Sequence, residues 1–189
     1  VSLELDETKT ALVVIDLQNH IVNRPHLAPH SAAQVIEHSR SIADALRARG
    51  GMVVWVHVLL NETLRLPTDA AVQMSGEIPH DASELVESIG RKPEDTVIGK
   101  RQWGAFYGTH LEQALDRRGI ETVIMAGIAT NMGVESTARA AYDAGYALVF
   151  AEDAMTTMGK EWHEFSTKNL FPRMGRVRST EEILAALGK

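Results

Sequence analysis

The 189-residue sequence contains no cysteine. Disulfides, thiolate metal sites and a cysteine nucleophile are thereby excluded. Positive charge is also in short supply: 19 Lys and Arg stand against 25 Asp and Glu, for a net charge of −6. A general nucleic-acid surface needs the opposite balance, so no nucleic-acid partner is expected. No apolar run approaches the ~18–20 residues that span a bilayer, and no membrane partner is expected. The opening stretch Val1-Ser-Leu-Glu-Leu-Asp6 lacks the basic and apolar regions of a secretory leader, which predicts a cytoplasmic location. Internal repeats, low-complexity tracts and linkers are missing, so residues 1–189 are read as a single domain. Neither a G-x-G-x-x-G fingerprint nor a Walker loop is present, and no nucleotide cofactor is expected.

What the chain does have is globular, with 44% hydrophobic and 23% charged residues. Apolar runs alternate with helical patterns, as in α/β folds. Ala11–Ile15, Met52–Val58, Thr96–Ile98, Thr122–Ala126, Ala147–Ala151 and Arg176–Arg178 read as strands. Helices are predicted from Ser31 to Gly50, Thr109 to Arg118, Asn131 to Ala144, Lys160 to Phe171 and Thr180 to Leu187. Ser179 with Glu182 three residues on has capping-box spacing. The stretch from Leu59 to Asp95, with Pro67, Pro79 and Pro93, breaks the rhythm, and only Ala82 to Ile89 looks helical there. So long an excursion suits a lid or a subunit contact. Six strands separated by helices imply a mostly parallel, doubly wound sheet with its site at the carboxyl ends of the strands.

Three polar features fall at such ends. Asp16 closes the first strand, where a buried carboxylate needs a partner or a task, although Asp also serves as an ordinary turn residue. Lys100 follows the third strand and precedes Trp103, Phe106 and Tyr107, which either wall a small pocket or belong to the core behind a surface lysine. After the fourth strand, Gly133 sits in a turn at a helix start. It leaves the amides there open to an oxyanion or carboxylate, or simply eases the turn.

Taken together, Val14-Ile-Asp-Leu-Gln-Asn19, Lys100-Arg-Gln-Trp-Gly-Ala-Phe-Tyr-Gly-Thr109, Gly127-Ile-Ala-Thr-Asn-Met-Gly-Val-Glu-Ser-Thr-Ala-Arg139 and Ala151-Glu-Asp-Ala154 resemble the isochorismatase-like hydrolases. The resemblance covers nearly the whole chain, in the family's order and spacing. It implies a three-layer Rossmann-like fold whose six-stranded parallel sheet has the order 3-2-1-4-5-6. Amidase members use an Asp, a Lys and a Cys. Asp16 and Lys100 match the first two, and Gly133 stands at the cysteine's position. A thioester route needs that nucleophile. True isochorismatases, which also carry glycine there, protonate a vinyl ether with the Asp as proposed acid, and Asp16 and Lys100 are the catalytic candidates on that pattern. Gln18, Trp103, Phe106, Tyr107, Ala129, Asn131 and Gly133 are the substrate-binding candidates. The resemblance also implies that the bond before Ala129 is cis.

Two alternatives accompany the hydrolase reading: a catalytically inactive small-molecule binder, and an amidase whose cysteine has been replaced. For an acid catalyst, Lys100 should lower the Asp16 pKa while burial and an anionic substrate should raise it. No metal is expected. His57 has no Asp two residues before it, the histidines show no zinc-helix spacing, and His57 reads as a hydrogen-bonded interior residue. The partners expected are a small-molecule substrate and, by the resemblance, further copies of the chain in a dimer or tetramer.

Overall fold

In the computed structural model, residues 3–64, 66–70 and 77–188 are described. The elements in chain order are β1 (Thr10–Ile15), α1 (Asn19–Val22), α2 (Ala32–Arg47), β2 (Met52–Val58), β3 (Thr96–Lys100), α3 (Leu111–Arg117), β4 (Thr122–Ile128), α4 (Glu135–Asp143), β5 (Ala147–Thr156), α5 (Lys160–Phe165), β6 (Gly175–Arg178) and α6 (Thr180–Leu187). All six strands pair in parallel, in the order β3-β2-β1-β4-β5-β6. The order expected from the resemblance is the order found.

Strand pleating explains the two cores. Leu12 and Val14 of β1 face one layer with Trp55, Ile124 and Val149, covered by Val35, Ile42 and Leu46 of α2 and Ile183 and Leu187 of α6. Val13 and Ile15 face the other with Val56, Ile98, Met125 and Phe150, covered by Leu111, Leu115, Ala138 and Phe171. Burial on both faces is why β1 reads as an unbroken apolar run. Two helices open with capping boxes: Ser31 with Gln34 on α2, and, as its spacing predicts, Ser179 with Glu182 on α6. Among the described residues no helix is long and apolar enough to cross a membrane.

Some expected elements differ. Ala82 to Ile89 is not a helix; it forms turns, an isolated bridge from Leu85 to Gln18 and a 3-10 turn at Glu87–Ile89. Much of its backbone bonding is to another segment. Asn19 and His20 donate to the Glu84 and Ala82 carbonyls at 3.0 and 3.1 Å, and Val86 donates to Leu17 at 3.1 Å. The excursion from Leu59 to Asp95 lies partly outside the described residues. The helix expected from Asn131 opens as a wide turn over Thr130–Val134 before α4. That expected from Lys160 passes from α5 into a wide turn at Ser166–Leu170 and a 3-10 turn at Phe171–Arg173.

β1 and β4 lie side by side, with β2 and β3 on one flank and β5 and β6 on the other, so the winding reverses between them. The crevice at such a reversal is where doubly wound sheets hold their ligands. Gly127 is essential to this point: its φ is +110°, and a β-carbon there would collide with the Ile15 carbonyl.

Candidate active site at the strand ends

Asp16 leaves β1 with φ +56°, in the left-handed region that non-glycine residues rarely occupy. Its amide donates to the Val56 carbonyl at 2.8 Å, so the turn is anchored to β2. The last residue of β3, Lys100, is buried at 1% exposure and brings its ammonium inward. Lys100 Nζ lies 2.8 Å from Asp16 Oδ2 and donates to the Trp103 carbonyl at 2.7 Å. Asp16 Oδ1 is buried and has no hydrogen-bond partner among the described residues.

These surroundings set the protonation of the acid. Burial is the largest influence and pushes the Asp16 carboxyl up to about 6, against the downward pull of Lys100 and weaker pulls of His57 and Arg24. The group is thus poised between acid and base close to neutral pH.

Gly133 completes the notch. A β-carbon on it would lie 2.9 Å from Ile15 Cγ2, 3.2 Å from Lys100 Nζ and 3.4 Å from Asp16 Oδ2. Any side chain here would press on the acid–lysine pair, and glycine leaves that space open. The turn around it is well braced. The Ala129 carbonyl accepts from Met132 and Val134 at 3.1 and 3.2 Å, and the Gly133 carbonyl accepts from Thr137 Oγ1 at 2.7 Å. The Ile128–Ala129 bond is cis, as the resemblance implies. Asn131 Oδ1 accepts from Thr157 Oγ1 at 2.6 Å, tying the turn to the end of β5.

The remaining candidates do not converge on this notch. Gln18 is fully buried and its amide is occupied by backbone. Nε2 donates to the carbonyls of Val58 and Ala82 at 3.0 and 3.2 Å, and Oε1 accepts from Val58 N at 2.7 Å. It braces the crevice floor, with both amide hydrogens given to backbone carbonyls. Trp103 and Tyr107 are 63% and 82% exposed, so their rings wall no pocket within this chain; only the Trp103 carbonyl reaches the site. Phe106 turns toward the core, 6.1 Å from the Tyr146 ring. His57 is half-buried, with Nδ1 2.6 Å from the Ser83 carbonyl, the hydrogen-bonded histidine that was expected.

Two contributors have no signature in the sequence. Thr137, one α-helical turn beyond Gly133, accepts from Ala105 N at 3.1 Å and so locks the segment after Lys100 to the Gly133 turn. Arg24 is half-buried, and its charge reaches Asp16. Among the described residues its guanidinium makes no hydrogen bond or ion pair. It lines an open cleft of about 380 Å³ with Asn19, His20, Asn23, Pro79 and Asp81. Among the described residues no trio of metal-ligand side chains surrounds the Asp16–Lys100 pair.

Comparison with known proteins agrees with this architecture. Residues 10–182 match the family described as the isochorismatase domain. The isochorismatase family protein YecD of Escherichia coli O157:H7 is 45% identical over 190 residues, spanning 98% of this chain and 100% of its own. A solved isochorismatase family protein from Burkholderia thailandensis superposes with a TM-score of 0.93 at 37% identity, covering 100% of both chains. The ureidoacrylate amidohydrolase RutB of Methylobacterium radiotolerans is 28% identical over 213 residues, covering 98% of this chain and 82% of its own.

Proposed function

Because the chain belongs to the isochorismatase family yet has glycine beside its buried acid–lysine pair, we propose that it is a hydrolase working without a covalent nucleophile. Its reaction is acid-catalysed cleavage of a vinyl ether in a small anionic metabolite. The observation that carries this reading is the Asp16 carboxyl. One oxygen is held by Lys100, the other is buried and unpaired, and the pKa is raised to about 6. Protonated Asp16 gives its proton to the terminal vinyl carbon, leaving an oxocarbenium ion. Water adds to that cation and returns a proton to the Asp16 carboxylate. The resulting hemiketal collapses to a ketone and an alcohol, so no atom of the enzyme is consumed. Lys100 fixes the carboxyl and stabilises the carboxylate left after proton transfer. Gly133 makes room for the ether, with Ala129 and Asn131 shaping the same turn. Arg24, whose guanidinium makes no hydrogen bond or ion pair among the described residues, suits a substrate carboxylate; its own charge lowers the Asp16 pKa, and the bound anion would raise it.

The relatives support hydrolysis as the reaction class, and a chain with no cysteine has no thiolate for an amidase cycle. Residues 1–189 form one such hydrolase domain, working in the cytoplasm. The exposed rings of Trp103 and Tyr107 support a homo-oligomer, dimer or tetramer, in which another copy covers the loop after Lys100. A 20.7 kDa particle in light scattering would overturn that assembly.

The test is a screen of anionic enol ethers with mass-spectrometric detection of products. Turnover by the parent protein, insensitive to thiol-directed reagents, is expected. Gly133→Cys should lose that reaction by crowding Asp16 and gain weak activity on activated esters. A Gly133→Cys protein that matches the parent on the parent's substrate would overturn the acid-only mechanism. Ligand binding without product from any of them would leave a binder in place of an enzyme.

A further inference from the structure

Away from the acid–lysine pair, three residues from distant parts of the chain bring their donor atoms together. His30 lies in the loop before α2, Glu152 in β5 and His163 on α5, and one ligand atom of each lies within 4.8 Å of the others. We propose that His30, Glu152 and His163 bind a divalent transition-metal ion of the zinc type. This reverses the expectation of no metal, which rested on local spacing and could not register ligands from separate segments. It does not depend on the hydrolase reading.

His163 supplies the independent observation. The residue is 2% exposed, and its Nε2 is buried with no hydrogen-bond partner among the described residues. That nitrogen is 3.8 Å from Glu152 Oε2, too far for a hydrogen bond but suitably close for both to face one cation. The other nitrogen, Nδ1, is 2.8 Å from Thr130 Oγ1. An imidazole whose Nδ1–H is directed to an oxygen presents an Nε2 lone pair, the usual arrangement of a metal-bound histidine.

The other two donors suit the same ion. Two imidazoles and a carboxylate are a familiar set for Zn²⁺, with the fourth position left for water. Glu152 is 43% exposed, which gives that position access to solvent. Donors around tetrahedral zinc stand about 3.4 Å apart at bonds of ~2.0–2.1 Å, so a small rotation of Glu152 and His30 closes the site. The backbones are already fixed. Thr156 Oγ1 donates to the His30 carbonyl at 2.7 Å, and Thr167 Oγ1 donates to that of His163 at 2.9 Å. Through Thr130, three residues before Gly133, a bound ion would also steady the turn at the acid–lysine notch.

The experiment uses the full chain stripped with EDTA and titrated with Zn²⁺ by calorimetry and with Co²⁺ by visible absorption. We expect one ion per chain, the intense visible bands of four-coordinate Co²⁺, and a Tm that rises with Zn²⁺. Glu152→Gln and His30→Asn should each weaken binding by at least about tenfold, the loss seen even for outer ligand partners, while the metal-free Tm stays near the parent's. His80→Asn, at an exposed histidine, should leave binding unchanged. The proposal is overturned by absence of stoichiometric binding in the folded parent. It is equally overturned if binding survives both the Glu152 and the His30 variants.

Discussion

Two aspartates, Asp16 and Asp95, are buried against a cation, yet their pKa values are shifted in opposite directions. Asp95 receives Arg47 Nε on Oδ1 at 2.8 Å, and Arg47 Nη2, Trp55 Nε1 and Lys92 N on Oδ2 at 2.6, 2.8 and 2.8 Å. Burial pushes its carboxyl upward more than any single contact lowers it, but these donors together hold it below the ordinary value. Asp16 has the Lys100 ammonium on one oxygen and, among the described residues, no hydrogen-bond partner on the other, and its carboxyl rises to about 6. A single cation does not decide the outcome; the number of donors on the carboxylate does. Asp95 is built to stay charged and hold α2 to the approach of β3, whereas Asp16 is left able to carry a proton.

The largest effect should come from removing that proton. Asp16→Asn is expected to lower kcat by about 10²–10⁴-fold, the usual contribution of a general acid, with the fold kept. An unchanged kcat would take Asp16 out of the mechanism. Asp95→Asn should do the reverse. Breaking a buried charged pair costs about 3–5 kcal/mol, read as a lower urea midpoint, while turnover per folded molecule holds. The pH dependences diverge as well. Asp95 has a folded pKa below its unfolded value, so its stabilisation is present above the unfolded pKa and is lost as pH falls through the folded one. Asp16 has a raised pKa, so its ionisation between about 4 and about 6 costs folded stability as pH rises. Activity that requires the acid form should fall about tenfold per pH unit above the Asp16 pKa of the free enzyme.

Lys100→Ala sharpens the contrast at smaller scale. Loss of one charge-assisted hydrogen bond, about 1.5 kcal/mol or more, should lower kcat roughly tenfold. It should also move the alkaline limb of the pH profile upward, since Lys100 lowers the Asp16 pKa. A rise in KM alone would assign Lys100 to binding. The smallest effect is expected from Ser179→Ala, which opens the α6 capping box far from either carboxylate: about 1 kcal/mol of stability and no change in kcat.

Much of this was legible in the chain. Continuous apolar runs mark the strands because a sheet covered on both faces leaves few polar positions in β1, β2 or β4. Asp16 and Lys100 stood out because each follows such a run directly. Motif position does not reveal that the Gln18 amide is bonded to the Val58 and Ala82 backbone. An aromatic run near a lysine looks the same in sequence whether its rings point inward or outward, and the rings of Trp103 and Tyr107 are exposed. Ala82 to Ile89 has helical apolar spacing, yet its backbone donors and acceptors went to the β1–α1 segment.

By itself the sequence determined the doubly wound α/β class, the lack of any thiol and the presence of an acid, a lysine and a glycine at three strand ends. Those properties are local: they follow from side-chain periodicity and residue identity. Only the tertiary structure decided that the acid is bonded on one oxygen and bare on the other. It alone placed Arg24 within electrostatic reach and brought His30, Glu152 and His163 to one point. Protonation and ligation depend on distances between segments and on how much water the fold removes. Neither quantity exists until the sheet has formed and its strand ends meet.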